Sequence, residues 1–87
     1  MNYDKASEIF GVMSNSKRLQ ILHLLSSKEL SVNEISDAIK IRKSNTSQHL
    51  FVLRMMGLVK SRREGKNIYY KLVNSKIIDS ITVINKL

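Results

Sequence analysis

The chain has 87 residues, enough for one domain but short of the length that buries most of its own surface without a partner subunit. It is 43% apolar and 25% charged, with no Pro, three Gly and no Cys. That composition excludes a disordered tail, disulfides, thiolate metal sites and thiol redox sensing, and it suits a reducing compartment.

The net charge is +8, and its distribution is uneven. Residues 1–39 sum to −1 and residues 72–87 to +1, whereas residues 40–71 carry nine basic side chains against Glu64 alone, for +8. A polyanion is the partner such a footprint attracts, because each neutralised phosphate releases condensed counterions. A solvated basic face and an acidic lipid surface are the alternatives that charge alone leaves open. Residues 1–8 include Asp4 and Glu8 and no long apolar run, so no secretory signal is expected. No segment approaches bilayer-spanning length, and a cytoplasmic protein that makes no membrane contact is expected.

In chain order, Ala6, Ile9, Phe10 and Met13 fall at helical spacing, which predicts an amphipathic helix over Asp4 to Met13, with Gly11 weakening its last turn. The break at Ser14-Asn15-Ser16 offers a capping oxygen to a second helix, about Lys17 to Ser26. That helix holds Leu19, Ile21, Leu22, Leu24 and Leu25 and is expected at the centre of the core, with His23 a helix residue rather than a ligand. Leu30 is a candidate for a short strand against a later hairpin. Ser31 and Glu34 form a capping box that opens a short helix whose buried stripe is Val32, Ile35, Ala38 and Ile39.

Ile41 is expected to plug the core at the following tight turn. The next helix then runs from Arg42 or Lys43 to Met56, with Thr46, Leu50, Leu53 and Met56 on one side. Two short helices joined this tightly are a helix-turn-helix, whose second helix can enter a major groove. Gly57 closes it as a left-handed residue. Leu58 to Arg62 and Asn67 to Leu72 then read as a β-hairpin connected by Arg63-Glu64-Gly65-Lys66, with Ile68, Tyr70 and Leu72 on one face. A last helix, Ser75 to Asn85, carries Ile77, Ile78, Ile81, Val83 and Ile84 and few charges. Together with the first helix it is expected to form a homodimer interface through Ile9, Phe10, Ile77, Ile81 and Ile84. The fold class is therefore mainly α with a small hairpin before the last helix, a single winged helix-turn-helix domain over residues 1–87.

No enzyme is legible. The carboxylates and the two histidines sit where capping, solvation or a turn explains them, and there is no glycine-rich phosphate loop or nucleophile motif. No cofactor and no metal site are expected. The informative stretch is Lys43-Ser44-Asn45-Thr46-Ser47-Gln48-His49, which packs polar groups into the first two turns of a helix. Gln48 can pair with adenine, Lys43 can reach guanine acceptors, and Ser44, Ser47 and His49 can donate to phosphate or a base edge. Ser44 and Asn45 can equally be helix caps. In the hairpin, Arg62, Arg63 and Lys66 flank the tip and are candidates for phosphate or minor-groove contacts, a solvated turn being the alternative. Phe51 and Met55, four apart on the flank opposite Leu53, are expected to be at least partly exposed and to pack on the N-terminal segment, with the other subunit or another protein as alternatives.

In these pieces the sequence resembles the ArsR/SmtB family of winged-helix repressors, over about Ala6 to Asn85. Ser16-Lys17-Arg18-Leu19-Gln20-Ile21-Leu22 stands where the family has Pro-Thr-Arg-Leu-x-Ile-Leu, and Ser44-Asn45-Thr46-Ser47-Gln48-His49-Leu50 where it has Ser-x-Val-Ser-x-His-Leu. Gly57-Leu58-Val59, Arg62-Arg63-Glu64-Gly65-Lys66 and Tyr69-Tyr70 complete the resemblance.

The resemblance implies a dimer that binds a palindromic operator in double-stranded DNA, competes with polymerase for a promoter, and leaves when an inducer binds. By resemblance the DNA contacts are Lys43, Ser44, Ser47, Gln48 and His49, with Arg62, Arg63 and Lys66 in the wing. Many members sense metal through a Cys-x-Cys in the helix before the recognition helix, or through Asp and His residues in the last helix. Here Glu34 to Asp37 and Asn74-Ser75-Lys76 occupy those places, so a regulator without a Cys or His metal sensor is expected. The second expectation is an interaction protein that joins another regulator through Phe51, Met55 and the last helix.

Overall fold

Short polar residues ahead of apolar periodic runs start three of the helices. Asn2 accepts from the Lys5 N–H and Asn15 from the Arg18 N–H, opening α1 (Tyr3–Met13) and α2 (Ser16–Leu24). Ser31 and Glu34 close a reciprocal capping box on α3 (Val32–Ile39). The remaining elements of this computed structural model, which describes residues 1–87, are β1 (Leu30–Ser31), α4 (Lys43–Met55), β2 (Val59–Glu64), β3 (Asn67–Leu72) and α5 (Lys76–Asn85).

The core joins α2, α3, α4 and the base of the sheet through Ile21, Leu22, Leu25, Leu30, Ile35, Ile39, Leu50, Leu53, Leu58 and Val59. Leu19 is a correction to the expected core of α2. It is half-buried and lines a cleft of about 210 Å³ with Phe10, Met13, Ser14, Ile81 and Ile84, between α1, α2 and α5. In α3, Ala38 is exposed and Ser36 takes the buried place instead. The stripe therefore runs Val32, Ile35, Ser36 and Ile39, which is the i, i+3, i+4, i+7 set of one helix face.

The helix-turn-helix bend is backbone chemistry. Lys40 adopts a left-handed conformation at φ 58°, ψ 49°, and the N–H groups of Lys40 and Ile41 both donate to the Ser36 carbonyl. The other end of α4 closes on Gly57 at φ 74°, with Gly57 N–H donating to Arg54 O and Leu58 N–H to Leu53 O. That pair of bonds is a Schellman cap, and the buried Leu53 and Leu58 supply its apolar contact.

The sheet order is β1-β3-β2, all antiparallel; Leu30 pairs with the hairpin as expected, and its partner is Tyr70. The hairpin connection is tighter than expected: Glu64 pairs with Asn67, leaving only Gly65-Lys66 as the turn. Gly65 has φ 62° while Lys66 does not share the positive φ. This is the II′ arrangement, which needs glycine first and matches strand twist. Extending both strands to the turn makes Arg63 and Glu64 strand residues, with consequences for the wing.

At the termini, Ile9, Ile77 and Ile81 pack half-buried against the chain's own core, a role the expected dimer set did not include. Phe10 and Ile84 stay exposed, as do Tyr3 and Val83. No helix is long and apolar enough to cross a membrane.

Candidate nucleic-acid interface

Helix α4 divides its side chains sharply. Thr46, Leu50 and Leu53, at i, i+4 and i+7, are buried, while Lys43, Ser44, Asn45, Ser47 and Gln48 are exposed. The buried side is pinned to α3 by Ser36 Oγ donating to Thr46 Oγ1 at 2.8 Å, and Thr46 Oγ1 in turn reaches the Arg42 carbonyl at 3.3 Å. These two bonds and the aliphatic contacts fix which face of α4 points outward.

The N-terminus of α4 has no side-chain cap and no acidic residue in its first turn. Ser44 and Asn45 lie inside the helix rather than before it, so the capping alternative for them does not apply. The first-turn N–H groups, ahead of the Thr46 N–H that closes on Arg42 O, keep no intrahelical partner. With Lys43 beside them they present a positive end that suits a phosphate oxygen.

Ser44, Gln48, Phe51 and Met55 follow one another along the outer strip at helical spacing. Phe51 and Met55 are 54% and 66% exposed, in keeping with the partial exposure expected of them, and neither is among the side chains packed against the core. The apolar positions of α4 were more numerous than its inner stripe could take.

His49 sits at the edge of that strip and is half-buried. Its Nδ1 accepts from Arg18 Nε at 3.2 Å, so only Nε2 remains for an outside partner. Burial, and then the adjacent Arg18 charge, hold the imidazole below its usual pKa. Arg18 also donates from Nη1 to the Val12 carbonyl at 3.2 Å. Sequence reasoning did not single out Arg18, although it lies in the Ser16 to Leu22 run that carries the resemblance.

In the wing, directly opposed residues share a face. Arg62 lies opposite Tyr69 and Arg63 opposite Ile68, so the two arginines project to opposite faces of the hairpin. The two arginines thus flank the tip from opposite faces. Arg62 is further occupied: Nε donates to Glu29 Oε2 and Nη1 to Glu64 Oε2, both at 2.7 Å, and its guanidinium lies 4.9 Å from the Tyr69 ring centre. Lys71 stands 3.9 Å from the other oxygen of Glu29. Arg63 on the other face and Lys66 in the turn are exposed and form no ion pair within the chain.

Comparison with known proteins places this arrangement. Residues 15–61 match the family described as bacterial regulatory protein, arsR family. The chain is 38% identical to the transcriptional activator HlyU of Vibrio cholerae over 86 residues, spanning 99% of this chain and 80% of that protein. It is 34% identical to the transcriptional repressor SmtB homolog of Synechocystis sp. over 82 residues, 91% of this chain and 62% of that one. Among solved structures, the homodimeric winged helix-turn-helix DNA-binding domain of Mb0332 from Mycobacterium bovis superposes with a TM-score of 0.87 at 30% identity, covering 95% of this chain and 80% of that chain. The matched stretch runs from the α2 cap through the recognition helix to the first wing strand, and the fold agrees over nearly the whole length. The chain belongs to the arsR family of bacterial regulatory proteins.

Proposed function

We propose that this chain is a sequence-specific regulator of transcription that binds a palindromic operator in double-stranded DNA as a homodimer. It acts as one domain and, as a DNA-binding protein, works in the cytoplasm. The observation that carries the reading is the outer face of α4: uncapped, free of acids in its first turn, and lined by Lys43, Ser44, Ser47 and Gln48. In this reading Lys43 and the α4 N-terminus meet phosphate, Ser44, Ser47 and Gln48 face the major groove, His49 at the edge of that strip donates to phosphate or a base edge, and Arg63 and Lys66 follow the neighbouring backbone or minor groove. Arg62 contributes less directly, because Glu29 and Glu64 already hold it.

The dimer is proposed to form through the terminal helices, with Phe10 and Ile84 in contact across it and Ile9, Ile77 and Ile81 supporting them from below. A subunit partner there removes apolar surface that one chain leaves in water. The relatives include a named activator and a named repressor; we favour repression, since occupying a promoter requires no further surface. No Cys is present, and of the two histidines His23 is exposed on α2 while His49 is bonded to Arg18. Regulation is therefore assigned to something other than a thiolate or imidazole metal site.

The test is an anisotropy titration of the protein with the region upstream of its own gene against random duplex, across a salt series. Nanomolar-range, strongly salt-dependent binding with clear operator preference is expected. Equal affinity for both duplexes would refute the reading. Exposure of Phe51 and Met55 favours a second one, in which this strip and the last helix engage another regulator. Co-purification of that regulator, lost with Phe51→Asp while operator affinity persists, distinguishes it.

A further inference from the structure

Arg18 reaches two helices at once. Its backbone N–H is bound by Asn15 Oδ1 at 3.1 Å, its Nη1 donates to Val12 O in the last turn of α1, and its Nε donates to His49 Nδ1 on α4. The Val12 carbonyl is one of those a helix end leaves unpaired, and α1 brings no basic residue to its own last turn. Arg18 supplies the missing cation from α2. Two acceptors at different ends of one planar guanidinium fix its orientation, since the donor directions of the fork are rigid.

That fixes the chemistry of His49. A guanidinium donates and cannot accept, so the Nδ1 it touches carries a lone pair and the ring proton resides on Nε2. Nε2 has no hydrogen-bond partner within the chain. An Nε2–H is a donor, and the groups a recognition helix meets first on DNA are phosphate oxygens, which are acceptors.

We infer that Arg18 is a positioning residue for DNA binding: held by the end of α1, it sets His49 as an Nε2–H donor aimed at a phosphate oxygen of the operator. The inference rests on the reading of α4 as the recognition helix. It adds a residue that itself touches no DNA, and it joins the terminal helix α1 to the DNA-facing helix through one side chain.

Histidine tautomers are visible in long-range proton–nitrogen-15 spectra of the free protein, with the exposed His23 as a reference in the same sample. His49 is expected as a single Nε2–H form at neutral pH, and as a mixture of tautomers in Arg18→Met, with operator affinity roughly tenfold weaker, about the worth of one hydrogen bond to a charged group. In a His49→Gln background, whose amide places a donor near the Nε2 position without help from Arg18, the same Arg18→Met change is expected to cost less than about threefold. An unchanged His49 spectrum in Arg18→Met, or an undiminished loss in the His49→Gln background, overturns the role.

His49→Asn tests the role without disturbing Arg18. It keeps an acceptor near the Nδ1 position and removes the outward donor, so a folded protein binding roughly tenfold more weakly is expected, and wild-type affinity would overturn the contact. A wild-type protein with no operator preference removes the DNA reading and this role together. One that binds its operator with mixed tautomers removes this role alone.

Discussion

Ser36 Oγ donates to Thr46 Oγ1 across 2.8 Å inside the helix-turn-helix, with both side chains buried. It is a polar tie in an aliphatic interface, and it stands where the ArsR pattern has Val in place of Thr46. Thr46→Val keeps the shape but leaves the Ser36 hydroxyl without its acceptor. A loss of about 1–2 kcal/mol is expected in urea unfolding. Removing both hydroxyls with Ser36→Ala and Thr46→Val is expected to cost less than the two single changes together, so a double-mutant cycle should show clear coupling.

The turn before α4 holds a non-glycine residue in left-handed backbone, Lys40 at φ 58°. Lys40→Gly relieves that conformation and is expected to stabilise the domain by up to about 1 kcal/mol, net of the entropy glycine adds to the unfolded chain. Gly57, at φ 74°, is the opposite case. A Cβ there meets no atom within 4 Å, so the expected loss of about 1 kcal/mol for Gly57→Ala comes from backbone conformation alone. Thermal melts of the two variants should move in opposite directions.

Glu29 holds Arg62 and lies near Lys71 on one face of the wing. These pairs are exposed and add little to stability. Their effect is on the charge offered to DNA. Glu29→Gln is expected to tighten binding to random duplex and to steepen the dependence of log affinity on log salt by about one unit for each phosphate newly neutralised. Arg62→Ala is expected to weaken binding less than Lys66→Ala in the same titration.

Acid should destabilise the fold in two windows. The His49 pKa is depressed from its usual 6.5, chiefly by burial and then by Arg18. As pH falls below 6.5 the unfolded chain takes up a proton that the folded chain refuses, so stability drops until the folded pKa is passed. The Glu34 carboxyl is held below its usual 4.5, first by the Ser31 backbone N–H and then by the Ser31 side chain. Its contribution is complete above 4.5 and is lost as pH falls through the lowered value. Urea midpoints measured against pH should show both declines, and His49→Asn should flatten the upper one alone.

Much of this molecule was readable from residue order because local and tertiary demands agree. The Ser31–Glu34 box, the Leu30 strand, the Gly57 stop and the Thr46-Leu50-Leu53 stripe each follow from spacing that packing then respects. Where the reading failed, a partner distant in sequence decided the outcome. Ser36 completes the i, i+3, i+4, i+7 face in place of Ala38, and a hydroxyl is tolerated there because Thr46, ten residues on, satisfies it. Arg18 and His49 are 31 residues apart, and Glu29 and Arg62 are 33 apart. No periodicity records such pairs. Strand alternation could have separated Arg62 from Arg63, but only once the turn was known to be Gly65-Lys66.

Within one chain only 12 of the 87 residues are buried, and the cleft between the terminal helices is edged by the exposed Phe10 and Ile84. In the proposed homodimer, pairing adds to the stability of the fold by mass action, so the melting temperature is expected to climb with protein concentration. Operator occupancy at low copy number thus falls more steeply than protein amount.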